Sequence, residues 1–294
     1  MARPVAVITG AARGIGLETA RQLSATHRVA LLDIDADGAE RAAAQLGGDA
    51  MWAACDITDA DAVAAAVGDV VERCGGIDVA IANAGIATAG AARHLDPDAF
   101  ARQLDVNLVG SWRFVHACLP HVIARRGYVL GVSSASALVA PTGLAFYASS
   151  KAGFEHLLDV VRVEVAHLGV DVGVAFFSWI DTDMVRGADA RHPAFGKLRS
   201  ELRGPAGRTL PVAEAGRVLV DAVAHRRRTV VAPRIVRVAY WLRGVIGPIV
   251  DRDARRNAAA IDAATAEMVA ERGAFHAAMG PTAGAAAPAQ PLER

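Results

Sequence analysis

Only three cysteines occur in 294 residues, Cys55, Cys74 and Cys118. An odd number at such wide spacing builds neither a disulfide framework nor a zinc-type ligand set, which points to a reducing compartment. Charge of one sign is not in excess either. The 31 Lys and Arg balance 31 Asp and Glu, so no chain-wide field draws the protein to nucleic acid, and no such partner is expected. No uninterrupted apolar run reaches the roughly 18–20 residues of a membrane-spanning helix. The first apolar run, Val5-Ala6-Val7-Ile8, is too short for a signal peptide and lacks a cleavage region. These absences predict a soluble, cytoplasmic protein. Aromatic residues make up 5% of a chain that is 53% hydrophobic, so the core must close on small aliphatic side chains. The histidines are scattered without carboxylates or cysteines at ligand spacing. No metal site is expected, and His116 and His121 read as surface or packing residues of a helix.

What the chain has is an alternation. Short β-branched runs at 5–8, 29–32, 51–54, 77–81, 128–132 and 170–176 are separated by Ala-rich segments of helical period at 15–25, 36–46, 59–73, 98–125 and 147–168. Nearly continuous apolar strands alternating with helices predict a doubly wound, Rossmann-like parallel sheet in a three-layer α/β/α arrangement. The rhythm stops after Phe177. Residues 183–210, rich in Gly, Pro and Arg, read as a lid segment. A helix at 211–225 and a strand at 229–232 resume the pattern. Residues 234–272 read as helical with a break at Gly247-Pro248, and the Ala, Pro and Gly-rich tail from Gly280 as disordered. The expected organisation is one domain over 1–250 and a helical extension with its tail over 251–294.

Thr9-Gly10-Ala11-Ala12-Arg13-Gly14-Ile15-Gly16 follows the first strand and opens the first helix. Glycines let the backbone turn tightly and approach a pyrophosphate, while the helix N-terminus offers free N–H groups and partial positive charge. The spacing, Gly-x-x-x-Gly-x-Gly, differs from the dinucleotide fingerprint Gly-x-Gly-x-x-Gly. Asp33 ends the second strand, where a carboxylate accepts from the ribose hydroxyls of NAD and repels a 2′-phosphate. Asp35 and Asp37 add negative field, so NAD is expected over NADP. Arg13 has the opposite sign and could grip that phosphate.

At this point the sequence resembles the short-chain dehydrogenase/reductase family. The matching motifs are Thr9 to Gly16, Cys55-Asp56-Ile57, Ala82-Asn83-Ala84-Gly85, Asn107, Ser133-Ser134 and Tyr147-Ala148-Ser149-Ser150-Lys151, in the family's order over roughly residues 3–232. The resemblance implies that Asp56 and Ile57 lie against the adenine ring and that Asn83, Ala84 and Gly85 close the fourth strand beside the cofactor. It further implies that Asn107 kinks the long helix and holds a water of a proton relay. Ile180 and Thr182 would meet the nicotinamide end. A homodimer or homotetramer built on the long helices is also implied. The chain departs from the pattern where the family has Pro-Gly, for here the pair is Phe177-Ser178.

Tyr147 and Lys151 are four residues apart, so on a helix they share one face. A phenol titrates near about 10, too high for a base at neutral pH. An adjacent ammonium and the positive nicotinamide ring of NAD⁺ both favour the phenolate, so a lowered Tyr147 pKa is expected. Lys151 would also bind the nicotinamide ribose. Ser134 ends the fifth strand, placed to hydrogen-bond the reacting oxygen, while strand alternation turns Ser133 to the other face. Phe146, Trp179, Met184 and Phe195 are candidates to line an apolar cleft or to pack in the core.

The expected activity is an NAD-dependent dehydrogenase or ketoreductase of apolar alcohols and ketones. Two other readings stay open. One is an NADP-dependent reductase, if Arg13 outweighs Asp33. The other is a nucleotide-binding regulator without catalysis, prompted by Phe177-Ser178 and opposed by the intact Asn107, Ser134, Tyr147 and Lys151. Finally, Arg226, Arg227, Arg228, Arg234, Arg237 and Arg243 interleave with Val, Ile, Tyr240 and Trp241. Such a segment suits an anionic membrane surface, a neighbouring subunit or the chain's own core.

Overall fold

Small and β-branched residues line up as seven parallel strands in the computed structural model, which describes residues 3–191 and 207–274. They are β1 (Val5–Thr9), β2 (Arg28–Asp33), β3 (Met51–Ala54), β4 (Val79–Ala82), β5 (Tyr128–Ser134), β6 (Asp171–Phe177) and β7 (Thr229–Ala232). Their spatial order is β3-β2-β1-β4-β5-β6-β7. The winding therefore reverses between β1 and β4, and a crevice opens there at the carboxyl ends of the strands.

Alternation along each strand builds two cores. Val5, Val7, Ala30, Leu32, Ala80 and Ala82 face one way, onto α3 (Ala60–Cys74), α5 (Ser111–Arg125) and α6 (Ala145–Val165). Ala6, Ile8, Val29, Leu31, Val79 and Ile81 face the other, onto α1 (Gly14–Leu23), α2 (Ala36–Leu46) and the helix Val212–His225. Burial on both faces explains why the strands read as unbroken apolar runs.

Three of the helices begin where short acids precede them. Asp35 accepts from the N–H of Gly38 and caps α2, and Asp59 accepts from Asp61 and Ala62 and caps α3. Asp96, with Pro97 as the first helical residue, starts α4 (Pro97–Leu104). The long helix expected at 98–125 is α4 and α5 joined by a π-helical turn over Asp105–Gly110. Asn107 lies within that turn.

Two regions depart from the sequence pattern. The start of the expected lid is a helix, α7 (Asp183–Arg191), and Leu210 returns to bridge Ile180. The middle of that segment, 192–206 with Phe195, lies outside the described residues, as does the tail from 275. After α8, the helix Val212–His225, the last helix α9 runs unbroken over Val236–Arg272. The break expected at Gly247-Pro248 is absent, and the helix crosses position 250. Tertiary contacts override the local preference. Val236 is buried in the sheet's core near one end, and Ile261, Thr265 and Met268 are buried near the other.

Candidate active site

The glycine loop is shaped by contacts that leave no room for side chains. Gly10 has φ +64°, and a Cβ there would come within 2.8 Å of the Ala84 backbone. A Cβ on Gly16 would sit 2.2 Å from the Gly10 carbonyl oxygen. Asn83 fastens this turn to β4. Its amide Nδ2 donates to the carbonyls of Thr9 (2.9 Å) and Gly10 (3.0 Å), and the Thr9 hydroxyl accepts from the backbone N–H groups of Asn83 and Ala84. Helix α1 has neither a side-chain cap nor an acid in its first turn. Its free N–H groups and the partial charge they carry are thus left to a ligand. Asp33 closes the other wall. One carboxylate oxygen accepts from Ala12 N (2.9 Å) and the other from Asp35 N (3.0 Å), which fixes the group at the loop's edge with further lone pairs to offer.

These groups line a cleft of about 320 Å³ at the carboxyl edge of the sheet. Of the residues singled out in the sequence, Gly10, Arg13, Gly14, Ile15, Asp33, Asp56, Ile57, Asn83, Ala84, Gly85, Ser134, Tyr147, Lys151, Ile180 and Thr182 all border it. Gly16 and Asn107 stand behind the wall. Asn107 is fully buried and laces three elements together. Its Oδ1 accepts from Ile86 N (2.8 Å), while Nδ2 donates to the Ile86 carbonyl (2.9 Å) and to Ser150 Oγ (3.0 Å) on α6.

Ser134, Tyr147 and Lys151 meet where β5 ends and α6 begins. The Ser134 hydroxyl lies beside the Tyr147 phenol, and its Oγ accepts from Ser136 N. Lys151 is 4% exposed, and its ammonium donates to the Val132 carbonyl at 2.9 Å. It lies 6.0 Å from the centre of the Tyr147 ring. Burial pushes the Lys151 ammonium down to about 8. The Tyr147 phenol moves opposite to the expected direction. Burial raises it above its ordinary value, and the neighbouring Ser134 hydroxyl only partly offsets this. Desolvation of the phenolate is the larger influence. Ser133 faces away from Ser134 as strand alternation requires, and its hydroxyl donates to the Lys151 carbonyl.

The apolar candidates divide. Met184 borders the cleft. Phe146 instead stacks on Phe100 with ring centres 4.7 Å apart, and Trp179 is not part of the described wall. Cys55, part of the Cys55-Asp56-Ile57 motif, borders the cleft as well, and residues the sequence reading missed complete the lining, among them Ile34, Ile86 and Arg102. Ile34 and Ile86 adjoin residues already singled out, and adjacency was the available signal. Arg102 comes from α4, far along the chain, and carried none.

The family model for short chain dehydrogenase matches residues 4–192. The chain belongs to the short-chain dehydrogenases. It is thus an oxidoreductase that acts on CH–OH groups with a nicotinamide cofactor. A cis-4-hydroxycyclohexanecarboxylate dehydrogenase of Sinomonas cyclohexanicum is 35% identical over 216 residues, covering 70% of this chain and 84% of the relative. A 3-ketoacyl-(acyl-carrier-protein) reductase of Brucella melitensis, solved in complex with NADH, superposes with TM-score 0.71 at 25% identity over 79% of this chain and 97% of its own. A short-chain dehydrogenase/reductase of Burkholderia phymatum, solved with NAD, shares the fold at TM-score 0.72 and 20% identity, over 81% and 92% of the two chains.

The Phe177-Ser178 pair, which departs from the short-chain dehydrogenase pattern, ends β6. Phe177 lies in register with Ser134 on one side and Ala232 on the other. Ser178 N then donates to the Ala232 carbonyl at 3.0 Å. A glycine at 178 would keep that N–H, so the departure leaves this bond as it is, and what changes is the backbone freedom of the pair. Strand β6 runs to the floor of the cleft, which Phe177 and Ser178 both border.

Proposed function

We propose that this short-chain dehydrogenase interconverts an apolar secondary alcohol and its ketone, with NAD as the preferred cofactor and Tyr147 as the acid/base. The observation that carries the reading is the convergence of Ser134, Tyr147 and Lys151 in the same cleft as the glycine loop and Asp33. A nicotinamide held in the cleft would supply the hydride chemistry. In this reading Ser134 donates to the reacting oxygen and Tyr147 exchanges the proton with it, which is general acid–base work worth about 10²–10⁴-fold. Lys151 is the cation that steadies the phenolate. Asn107 keeps α6 and the backbone at Ile86 in place around it. Gly10, Gly14 and Gly16 clear room for the pyrophosphate with Arg13 and Ile15 beside it, Asp56 and Ile57 flank the adenine, and Asn83, Ala84 and Gly85 border the far side. Ile180 and Thr182 close on the nicotinamide end.

Asp33 supports NAD, because a carboxylate at the loop's edge repels a 2′-phosphate. Arg13 on the same wall supports NADP as the second reading. Support for an apolar substrate comes from Ile86, Ala87, Val106 and Met184 along the cleft and from the cyclic secondary alcohol in the name of the Sinomonas relative.

The experiment is cofactor reduction by the purified protein with NAD⁺ or NADP⁺ and a panel of cyclic and long-chain secondary alcohols. Turnover should be faster with NAD⁺ and fall by about 10²-fold or more in Tyr147→Phe, with NADH affinity nearly unchanged. Asp33→Ala should narrow the preference between cofactors. Turnover that survives Tyr147→Phe would sink the assignment of the proton transfer, and a preference for NADP⁺ would assign the cofactor to Arg13.

A further inference from the structure

Helix α9 buries one face and leaves another bare. Val236, Ala239 and Tyr240 pack against the sheet's core, and Tyr240 lies 5.4 Å from the Phe176 ring. Arg243 on the same face pairs with the buried Glu155 of α6 at 2.6 Å. At helical spacing on the opposite side stand Ile235, Val238, Trp241, Leu242 and Val245, all exposed, with Trp241 at 75% and Val245 at 73%. A stripe of five large apolar side chains in water is the kind of surface that marks an interaction site.

The charges around the stripe say what it meets. From position 222 to 250 the chain has no acidic residue. Arg226, Arg227, Arg228 and Arg243 are taken up by Asp171, Asp221, Asp159 and Glu155. Arg234 and Arg237, exposed on the stripe's own side, have no ion-pair partner among the described residues. Exposed Arg252 and Arg255 continue that side one to three turns further along. A second copy of this chain docked by two-fold symmetry would set these arginines against themselves. An anionic surface would complement them.

We infer that the first turns of α9 are an interfacial helix. Ile235, Val238, Trp241, Leu242 and Val245 enter the headgroup–acyl boundary of an anionic membrane, and Arg234 and Arg237 pair with lipid phosphates. Arginine stems bury along the apolar surface while the charge stays at the headgroups, and tryptophan favours that same depth. No helix of the described residues is long and apolar enough to cross a membrane, so the contact is peripheral. The helix begins just after β7 and at the sheet edge that carries the cleft, where Ser178 of the wall donates to Ala232. Docking would thus bring the mouth of the cleft toward the lipid.

The test is flotation of the full chain with vesicles of phosphatidylcholine alone and of phosphatidylcholine mixed with phosphatidylglycerol. The protein should rise with the mixed vesicles only, and high salt should release it. The double variants Trp241→Glu/Val245→Glu and Arg234→Glu/Arg237→Glu should each bind at least about tenfold more weakly, since a basic residue near such a surface contributes about 1 kcal/mol. All four side chains are exposed, so circular dichroism and NADH binding should match wild type in both variants. If the glutamate pair at 241 and 245 unfolds, Trp241→Ala gives the same reading on a milder change. Failure of the wild type to float with mixed vesicles overturns the inference. So does equal flotation of wild type and both variants. A wild-type dimer that Trp241→Glu/Val245→Glu splits in sedimentation, without vesicle binding, assigns the stripe to a second copy instead. None of these readouts depends on turnover, so the inference and the proposed activity can fail separately.

Discussion

Lys151 holds a buried ammonium, with its value depressed to about 8 from 10.5. Below about 8 both folded and unfolded chains carry that proton, and the full burial penalty weighs on the fold. Between the two values the unfolded chain still binds the proton that the folded chain has released. Lys151's contribution to stability therefore rises with pH across that window. Tyr147 and Cys55, both raised by burial, act the other way at alkaline pH, because the folded chain keeps protons that the unfolded chain gives up. Comparing wild type with Lys151→Met isolates the lysine. In the cofactor-free protein the variant should melt at a higher temperature than wild type near neutral pH, with the gap closing as pH rises toward about 10. A gap that stays constant would mean that Lys151 is not desolvated. The raised Tyr147 has a matching kinetic consequence, since alcohol oxidation needs the phenolate and its rate should climb with pH through the neutral and alkaline range.

The last helix acts as a clasp on two loops beside the cleft. Thr265 of α9 is fully buried, and its hydroxyl accepts from Ala91 N (2.9 Å) while donating to the Ile261 carbonyl. Asp262 takes Arg93 in two bonds of 2.6 Å. Thr142 donates to the Ala254 carbonyl at 3.1 Å, which ties in the loop that leads to Tyr147. The short ionic contact is the less valuable one, because Arg93 is largely in water. Thr265→Val keeps the shape and strands the Ala91 N–H, which should cost about 1–3 kcal/mol. Asp262→Ala should cost less than about 1 kcal/mol. Urea unfolding orders the two, and the reverse order would show that the charges hold the clasp. None of these pairs could be read from the chain, since Ala91 and Thr265 are 174 residues apart. The helix itself was legible, and so was its end near 272. Its passage through Gly247-Pro248 was not, because proline's local penalty is visible in the chain and the distant contacts that outweigh it are not.

The cleft gathers walls from β2, β5, β6 and α6 and from the loops that follow β1 and β4, so a ligand in it bridges both halves of the sheet. A cofactor that binds only the folded chain at about 100 times its dissociation constant adds about 2.7 kcal/mol. For a protein of this size that should raise the melting temperature by roughly 5–10 °C. NADH should produce the shift in the wild type. Gly16→Ala should abolish it, since the added methyl would collide with the Gly10 carbonyl. An undiminished shift in that variant would place the pyrophosphate away from the loop.

Local pattern was enough for the order of strands and helices, the parallel sheet and the positions of the glycine loop, Asp33, Ser134, Tyr147 and Lys151. These depend on periodicity, on backbone freedom at glycine and on short-range spacing, all of which are written along the chain. Convergence is another matter. Strand order brings β1 beside β4 and β4 beside β5, and only then do Asn83, Asn107 and Ser150 come within hydrogen-bonding distance of what they hold. The direction of the Tyr147 shift also followed from the fold, because desolvation depends on everything packed around the phenol and not on the residue four places along. The bare stripe on α9 has the same origin. Its apolar residues are plain in the sequence, but which of them face the core and which face water is settled by the side of the helix that the sheet covers.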